Sequence, residues 1–348
     1  MQKIEKAEPE SADPHTTDAA AKKKKESEHK WRRYSPLIVG ILLLAAVIFF
    51  SLHIGEASTF VELVRNASPF WLLMAVIYQI GTYLCSGAVW HVVLKRFNVK
   101  VSLGSLAELS LAKLSIEKFI PAAGIGGSLL LVRGLEGRGA AGPVAAAALL
   151  IDVLSIYAAR AISIAIAVGI LWANKGLNIP VLIVCALFAF FSAVILGAVF
   201  WLTRIETNEI PKWITKIPGV GSVVKSLTDA PPEVMKNKRL LWEAVILQFA
   251  IIVLDALTLD AMLRSIGYSA KLHHTFASFS MSSVASTLTL IPGGIGAFEG
   301  ISVLLLRLLK VPIEASLAAT LMLRAFILWL PMIPGFFVLR RESKHMIK

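Results

Sequence analysis

Uninterrupted apolar runs of roughly twenty residues recur along this chain, and a run of that length crosses the hydrocarbon core of a bilayer as one helix. No water reaches that depth, so every backbone N–H and C=O must be bonded within the protein. Only helices and closed barrels achieve this. Barrel strands alternate apolar and polar residues, and no segment here does so. The expectation is an all-α polytopic membrane protein with about six full transmembrane helices.

Composition agrees: 56% of residues are hydrophobic and 17% charged, against the quarter or so usual in soluble domains. The net charge of +12 collects at the ends of apolar runs, where cations meet anionic head groups, so nucleic acid is not the expected partner. Cys85 and Cys185 both lie inside apolar runs and have no metal-ligand spacing, so they read as small buried hydrophobes.

The charge asymmetry sets an order of segments. Residues 1–34 read as a disordered cytoplasmic tail whose Lys22–Lys25 run abuts a first span over about 36–54, expected to be retained and not cleaved as a signal. Residues 35–203 form a first membrane half, 204–239 a cytoplasmic interfacial linker, 240–340 a second membrane half, and 341–348 a basic cytoplasmic end. Both termini then lie on the cytoplasmic side. The weak point is the 264–274 loop, which carries Arg264, Lys271, His273 and His274 on a side that should be poor in Lys and Arg.

Two stretches are too broken to be plain spans. In 102–134, Glu108, Lys113, Glu117 and Lys118 interrupt the pattern before Ile120-Pro121-Ala122-Ala123-Gly124-Ile125-Gly126-Gly127. In 275–309, a Ser/Thr-rich segment ends at Ile291-Pro292-Gly293-Gly294-Ile295-Gly296-Ala297-Phe298-Glu299. The two breakers match with one residue gapped, and each precedes an apolar stretch bearing an arginine, Arg133 or Arg307. They read as two opposed re-entrant helical hairpins in an inverted-repeat arrangement, the pattern that marks a transporter's binding site. The competing reading is that proline and glycine merely kink ordinary spans.

Ionisable residues within apolar segments are costly and tend to mark a pathway. The candidates are Glu117, Lys118, Arg133, Glu136, Asp152, Arg160, Asp255, Asp260, Glu299, Arg307 and Arg324. Glu299 starts a half-helix, where the free N–H groups favour an anion, and it serves either as a stabilising cap or as a partner of an arginine. Arg133 and Arg324 read as phosphate ligands through their planar forks, or as ion pairs such as Arg324 with Glu299 and Arg133 with Glu136. Asp152 and Arg160, two turns apart, share a face and read as a structural polar seam. Asp255 and Asp260 do not share a face, and adjacent His273 and His274 make a poor metal site. No catalytic or cofactor fingerprint occurs, so neither cofactor nor metal is expected.

The stretch 291–299, together with Leu323-Arg324-Ala325 and the upstream Pro121…Gly126-Gly127…Val132-Arg133-Gly134-Leu135-Glu136, resembles the transmembrane flippase-like family. That family includes the membrane half of the bacterial multiple peptide resistance factor, a lysylphosphatidylglycerol synthase and flippase. The resemblance covers roughly residues 36–340. It implies a lipid translocator of the bacterial cytoplasmic membrane that moves an anionic phospholipid or an isoprenoid-linked phosphate lipid, and not an enzyme. The substrate site it implies comprises Arg133, Glu136, Pro292, Gly293, Gly294, Gly296, Glu299 and Arg324, with Pro121, Gly126, Gly127, Asp152 and Arg307 secondary. Pro121-Ala122-Ala123 departs from a more glycine-rich first breaker, and no aminoacyl-transfer domain is recognised, so this polypeptide alone is not expected to aminoacylate lipid. A membrane-embedded lipid-modifying enzyme and a scaffold for a lipid-synthesis complex remain as alternatives. A homo-oligomer and a separate lipid synthase are the protein partners these readings admit.

Overall fold

A computed structural model describes residues 62, 64–119, 125–174, 179–202, 237–289 and 294–329. The chain divides into two compact units, Met1–Thr59 and Phe60–Lys348, and the described residues all fall in the second. The expected tail, first span, most of the 204–239 linker and the basic end lie outside them, as do Pro121, Pro292 and Gly293.

Every regular element among the described residues is helical. In chain order these are α1 (Pro69–Arg96), α2 (Leu103–Phe119), α3 (Ile125–Glu136), α4 (Gly142–Ala173), α5 (Ile179–Leu202), α6 (Lys238–Ser265), α7 (Leu272–Leu288), α8 (Ala297–Leu308) and α9 (Ile313–Arg324). A π-helical turn, Ala325–Trp329, continues α9. Three of them, α1, α4 and α6, are long and apolar enough to cross a membrane.

Local chemistry sets the helix boundaries. Proline opens α1 and α4, where its missing N–H would be unsatisfied anyway. Asn237 caps α6 by accepting from the Leu240 N–H at 3.1 Å. Lys95 and Arg96 occupy the last turn of α1, complementing the exposed carbonyls there.

The three long helices share one axis direction or its reverse. The Ser68 N–H, at the start of α1, donates to the Ser265 carbonyl at the end of α6 at 2.7 Å, so these two helices run antiparallel. We call this the far end of the bundle. Asn174, which follows α4, meets His274 of α7 at 3.3 Å, also at the far end. The near end is where α1 finishes and α4 and α6 begin.

The two broken stretches each fold as a pair of antiparallel helices. In α2–α3, Arg138 donates to Ser105 at 2.8 Å, Gly134 lies against Leu109, and Gly127 lies against Glu117. In α7–α8, the Ser278 hydroxyl donates to the Ser302 carbonyl at 3.1 Å, and Gly294 abuts Ser286. The α2–α3 hairpin has its open end at the near end of the bundle, joined directly to α1 and α4. The α7–α8 hairpin opens at the far end, following α6. The two hairpins therefore open at opposite ends of the bundle.

Three apolar clusters hold this arrangement. One joins α2–α3 to the near ends of α1, α4 and α6 around Trp90, Leu106, Leu131 and Leu149. The second joins α7–α9 to the far end of α6 around Leu259, Met262 and Leu306. The third packs α5 on α4 and α7–α8 through Phe188 and Leu171. Many large apolar side chains, such as Phe70, Leu73, Ile77 and Ile80 on one face of α1, remain exposed, the surface expected where lipid replaces water.

Where α1 crosses α2, a glycine sets the separation. A Cβ at Gly87 would sit 2.8 Å from the Ala107 backbone nitrogen, so backbone meets backbone there. Gly87→Leu is expected to cost roughly 1–3 kcal/mol by overpacking. Gly104, with open space around its Cβ position, should accept alanine. Thermal unfolding of the two variants in detergent checks the contrast: a lower midpoint for the first, little change for the second.

Candidate functional site

Between the two hairpins lies a cavity of about 430 Å³. That volume falls within the roughly 300–1,000 Å³ usual for small-molecule sites. Both hairpins and all three long helices contribute to its lining. Among the described residues, four bonded groups of polar side chains belong to it.

The first group ties the α2–α3 hairpin to the long helices. Lys113 Nζ donates to Asp152 Oδ2 at 2.7 Å and lies 3.8 Å from Glu117 Oε1. Gln248 Nε2 donates to the other Asp152 oxygen at 3.0 Å, so both carboxylate oxygens are engaged. The Lys113 ammonium also stands 5.6 Å from the centre of the Trp90 ring, a cation–π distance. Asp152 is only 2% exposed, so this is a buried pair whose carboxylate depends on Lys113 and Gln248 in place of water.

The second group ties α8 to α9. Arg324 Nε donates to Glu299 Oε1 at 2.6 Å, while Glu299 Oε2 accepts the Gly296 N–H at 2.7 Å. Glu299 is thus the cap of its own helix and the counter-ion of Arg324 at once. The chain reaches this geometry through Gly294 and Gly296, whose φ values of 64° and 90° disfavour other residues. Arg324 sits at the junction of α9 with the π turn, 4.9 Å from the Phe298 ring centre.

The third group joins α1 to α6, and the fourth joins α4 to α7. Gln79 Nε2 donates to Asp255 Oδ1 at 2.9 Å and to the Thr258 hydroxyl at 3.1 Å. Arg160 Nη1 donates to the Thr287 hydroxyl at 2.6 Å.

The structure brings together Glu117, Asp152, Arg160, Asp255, Gly294 and Arg324 around the cavity, with Glu299 reaching it through Arg324. It does not bring in Arg133, Glu136 or Arg307. These three are exposed on α3 and α8 and do not line the cavity. The reason is register: Arg133 and Glu136 lie toward the open end of their hairpin, away from its turn, and Arg307 occupies the corresponding place on α8. The expected Arg133–Glu136 pair is therefore set apart from the cavity, whereas the Arg324–Glu299 pair forms. Asp260 bonds Arg264 at 2.6 Å at the far end of α6, outside the cavity. Gly126 lies in the first turn of α3 and Gly127 against Glu117. The neighbouring His273 and His274 rings meet edge to face, and no group of residues that could hold a metal occurs among the described residues.

Sequence reasoning missed Lys113, Gln79 and Gln248 as members of the site. The available signal was a polar residue near the middle of an apolar run, which Gln79 and Gln248 both are.

Breaking the first group from one side should strand a buried charge. Lys113→Met is expected to destabilise the protein by about 3–5 kcal/mol, and adding Asp152→Leu to recover most of that loss. Denaturant unfolding of the single and double variants in detergent micelles measures both.

The matches to known proteins agree with this architecture. The family model described as the lysylphosphatidylglycerol synthase TM region matches residues 37–335. A UPF0104 membrane protein of Methanothermobacter thermautotrophicus is 22% identical over 331 residues, covering 84% of this chain and 90% of its own length. Another, from Pyrococcus horikoshii, is 20% identical over 336 residues, covering 91% of this chain and 99% of its own. Both relatives are archaeal, so the matches support a membrane location without pointing to a bacterial one. The family model spans most of the chain, and the protein belongs to the lysylphosphatidylglycerol synthase transmembrane-region family of membrane proteins.

Proposed function

We propose that this member of the lysylphosphatidylglycerol synthase transmembrane-region family is a lipid translocator, which moves a phosphate-bearing head group through the bundle while the acyl chains stay in lipid. The observation that carries the reading is the polar cavity where two helical hairpins, open at opposite ends of the bundle, meet. Non-helical backbone at membrane depth is tolerated where protein or a water-filled cavity surrounds it, and Gly294, just before α8, borders such a space. In this reading the hairpins are re-entrant, related as inverted repeats, and both chain termini face the cytoplasm.

The barrier to lipid flip-flop is the transfer of a charged head group through hydrocarbon. A cavity lined by Lys113, Arg160 and Arg324 on one side of the charge balance, and by Glu117, Asp152 and Asp255 on the other, lowers that barrier by substituting fixed polar groups for water. The substrate is an anionic phospholipid or an isoprenoid-linked phosphate. The head group enters past one hairpin and leaves past the other as the Arg324–Glu299 and Lys113–Asp152 contacts open in turn. Glu299 acts as a counter-ion here. In a lipid-modifying enzyme it would act as a base on the substrate.

The test is reconstitution into vesicles holding a fluorescent phosphatidylglycerol, with dithionite quenching of the outer leaflet. The protein should expose inner-leaflet lipid to the quencher. Arg324→Gln and Glu299→Gln should each slow this by about tenfold or more, the scale of one charge-assisted hydrogen bond. Quenching no faster than in protein-free vesicles, across several phosphate-bearing lipids, sinks the proposal. A chemically altered lipid recovered from the wild type but not from Glu299→Gln would favour the enzyme.

A further inference from the structure

Among the described residues three cations line the cavity, and they differ in how their charge is met. Arg324 is bonded by Glu299 at 2.6 Å, and Lys113 by Asp152 at 2.7 Å. Arg160 has no carboxylate oxygen within 4.0 Å among the described residues, and its bonded partner is the neutral Thr287 hydroxyl at 2.6 Å. A guanidinium carries five N–H donors in a rigid fork, so most of its donors stay available after that one bond. A cation taken from water without a bound counter-ion is unfavourable, and an anion in the cavity is its natural complement.

The surroundings keep the fork in place. Thr287 gives its own proton to the Ser283 carbonyl at 2.9 Å, which turns an oxygen lone pair toward Arg160. Ser283, one helical turn before Thr287, lines the same cavity, as do Tyr83 and Ser286. These are hydroxyl-bearing side chains around a planar cation, a donor set suited to tetrahedral oxyanions. Glu117 and Asp255 line the same cavity without bonding Arg160, and they disfavour any anion that does not sit close to its guanidinium.

We propose that Arg160 is the oxyanion receptor of the cavity, taking the oxygens of a phosphate group carried by a lipid head group or free in solution. This rests on the translocator reading for its biological role, although the binding chemistry can be tested apart from it. It also reassigns Arg160 from a structural seam with Asp152 to a ligand-binding group. Arg324 and Lys113 act alongside it as hairpin anchors.

The experiment uses the full chain in detergent with three probes: dihexanoyl phosphatidylglycerol, the matching diacylglycerol, and inorganic phosphate. Phenylglyoxal modification of arginine, read by peptide mass spectrometry, reports occupancy in the unaltered protein and so does not depend on a variant folding. Phosphatidylglycerol is expected to slow modification at Arg160 by threefold or more, with diacylglycerol giving no protection and exposed Arg239 unaffected by any probe. Protection by inorganic phosphate at equal concentration identifies free phosphate as the source, and protection by the phospholipid alone identifies the lipid. Either result supports the receptor.

Direct binding of the phospholipid should weaken at least tenfold in Arg160→Gln, weaken less in Arg160→Lys, and stay unchanged in Arg239→Gln. No protection of Arg160 by either phosphate-bearing probe, or wild-type affinity in a folded Arg160→Gln, overturns the proposal. The two readings separate cleanly. An Arg160→Gln protein that still binds and translocates lipid removes the receptor and keeps the translocator. A wild type with protected Arg160 that moves no lipid does the reverse.

Discussion

The arrangement depends on charge that is buried and must be met inside the protein. Lys113 and Asp152 are both removed from solvent, and each is tolerable only because the other is 2.7 Å away, with Gln248 completing the carboxylate. Neither residue has a comparable partner on its own helix at that distance. The pair therefore fixes where the α2–α3 hairpin sits against α4 and α6 more sharply than apolar packing does, since packing of leucines against leucines tolerates sliding and charge separation does not. Arg324 and Glu299 do the same for α8 and α9. Each hairpin is thus pinned by one ion pair among the described residues.

The second breaker illustrates how local chemistry feeds this. Gly294 must bring its backbone against Ser286, and Gly296 must hold a positive φ so that α8 can start with its amide facing Glu299. With both satisfied, one carboxylate closes the helix terminus and binds an arginine from another helix. A larger residue at position 294 would collide with α7 before Glu299 could reach either partner. Turn geometry and the ion pair are therefore one feature seen at two scales.

This explains which parts of the molecule could be read from its sequence. The helical class followed from run length, and the broken stretches 102–134 and 275–309 from glycine and proline beside misplaced charge. Glu299 and Arg324 were legible because one sits beside a distinctive turn and the other deep in an apolar run. Arg133, Glu136 and Arg307 carried the same kind of signal but point elsewhere, because a charge in a short hairpin helix can escape to the open end within two turns. Depth along a hairpin is a property of where the turn falls, which one-dimensional pattern does not fix to that precision. Gln79 and Gln248 were overlooked for the opposite reason: amides lack the charge that draws notice, yet in a low-dielectric interior their donors are as necessary to Asp255 and Asp152 as a cation. Asp152 and Arg160, two turns apart on α4, both line the cavity, but the sequence could not reveal that their partners come from different hairpins.

That last point bears on how a cavity between two hairpins could open at one end without opening at both. Asp152 and Arg160 are about 12 Å apart along α4, at 1.5 Å per residue. The first holds Lys113 of the α2–α3 hairpin and the second holds Thr287 of the α7–α8 hairpin. A single continuous helix thus carries the contact point of each hairpin at a fixed separation. An anion at Arg160 takes the guanidinium donors that Thr287 leaves open, so the contact to α7 persists, whereas displacing Lys113 from Asp152 strands two buried charges. Each hairpin also has its own ion pair, Lys113–Asp152 or Arg324–Glu299. In the proposed reading, an anion held at Arg160 stays on a helix common to both hairpins while those two ion pairs open in turn. Opening in turn is what any carrier needs if it is to avoid a continuous polar path across the bilayer.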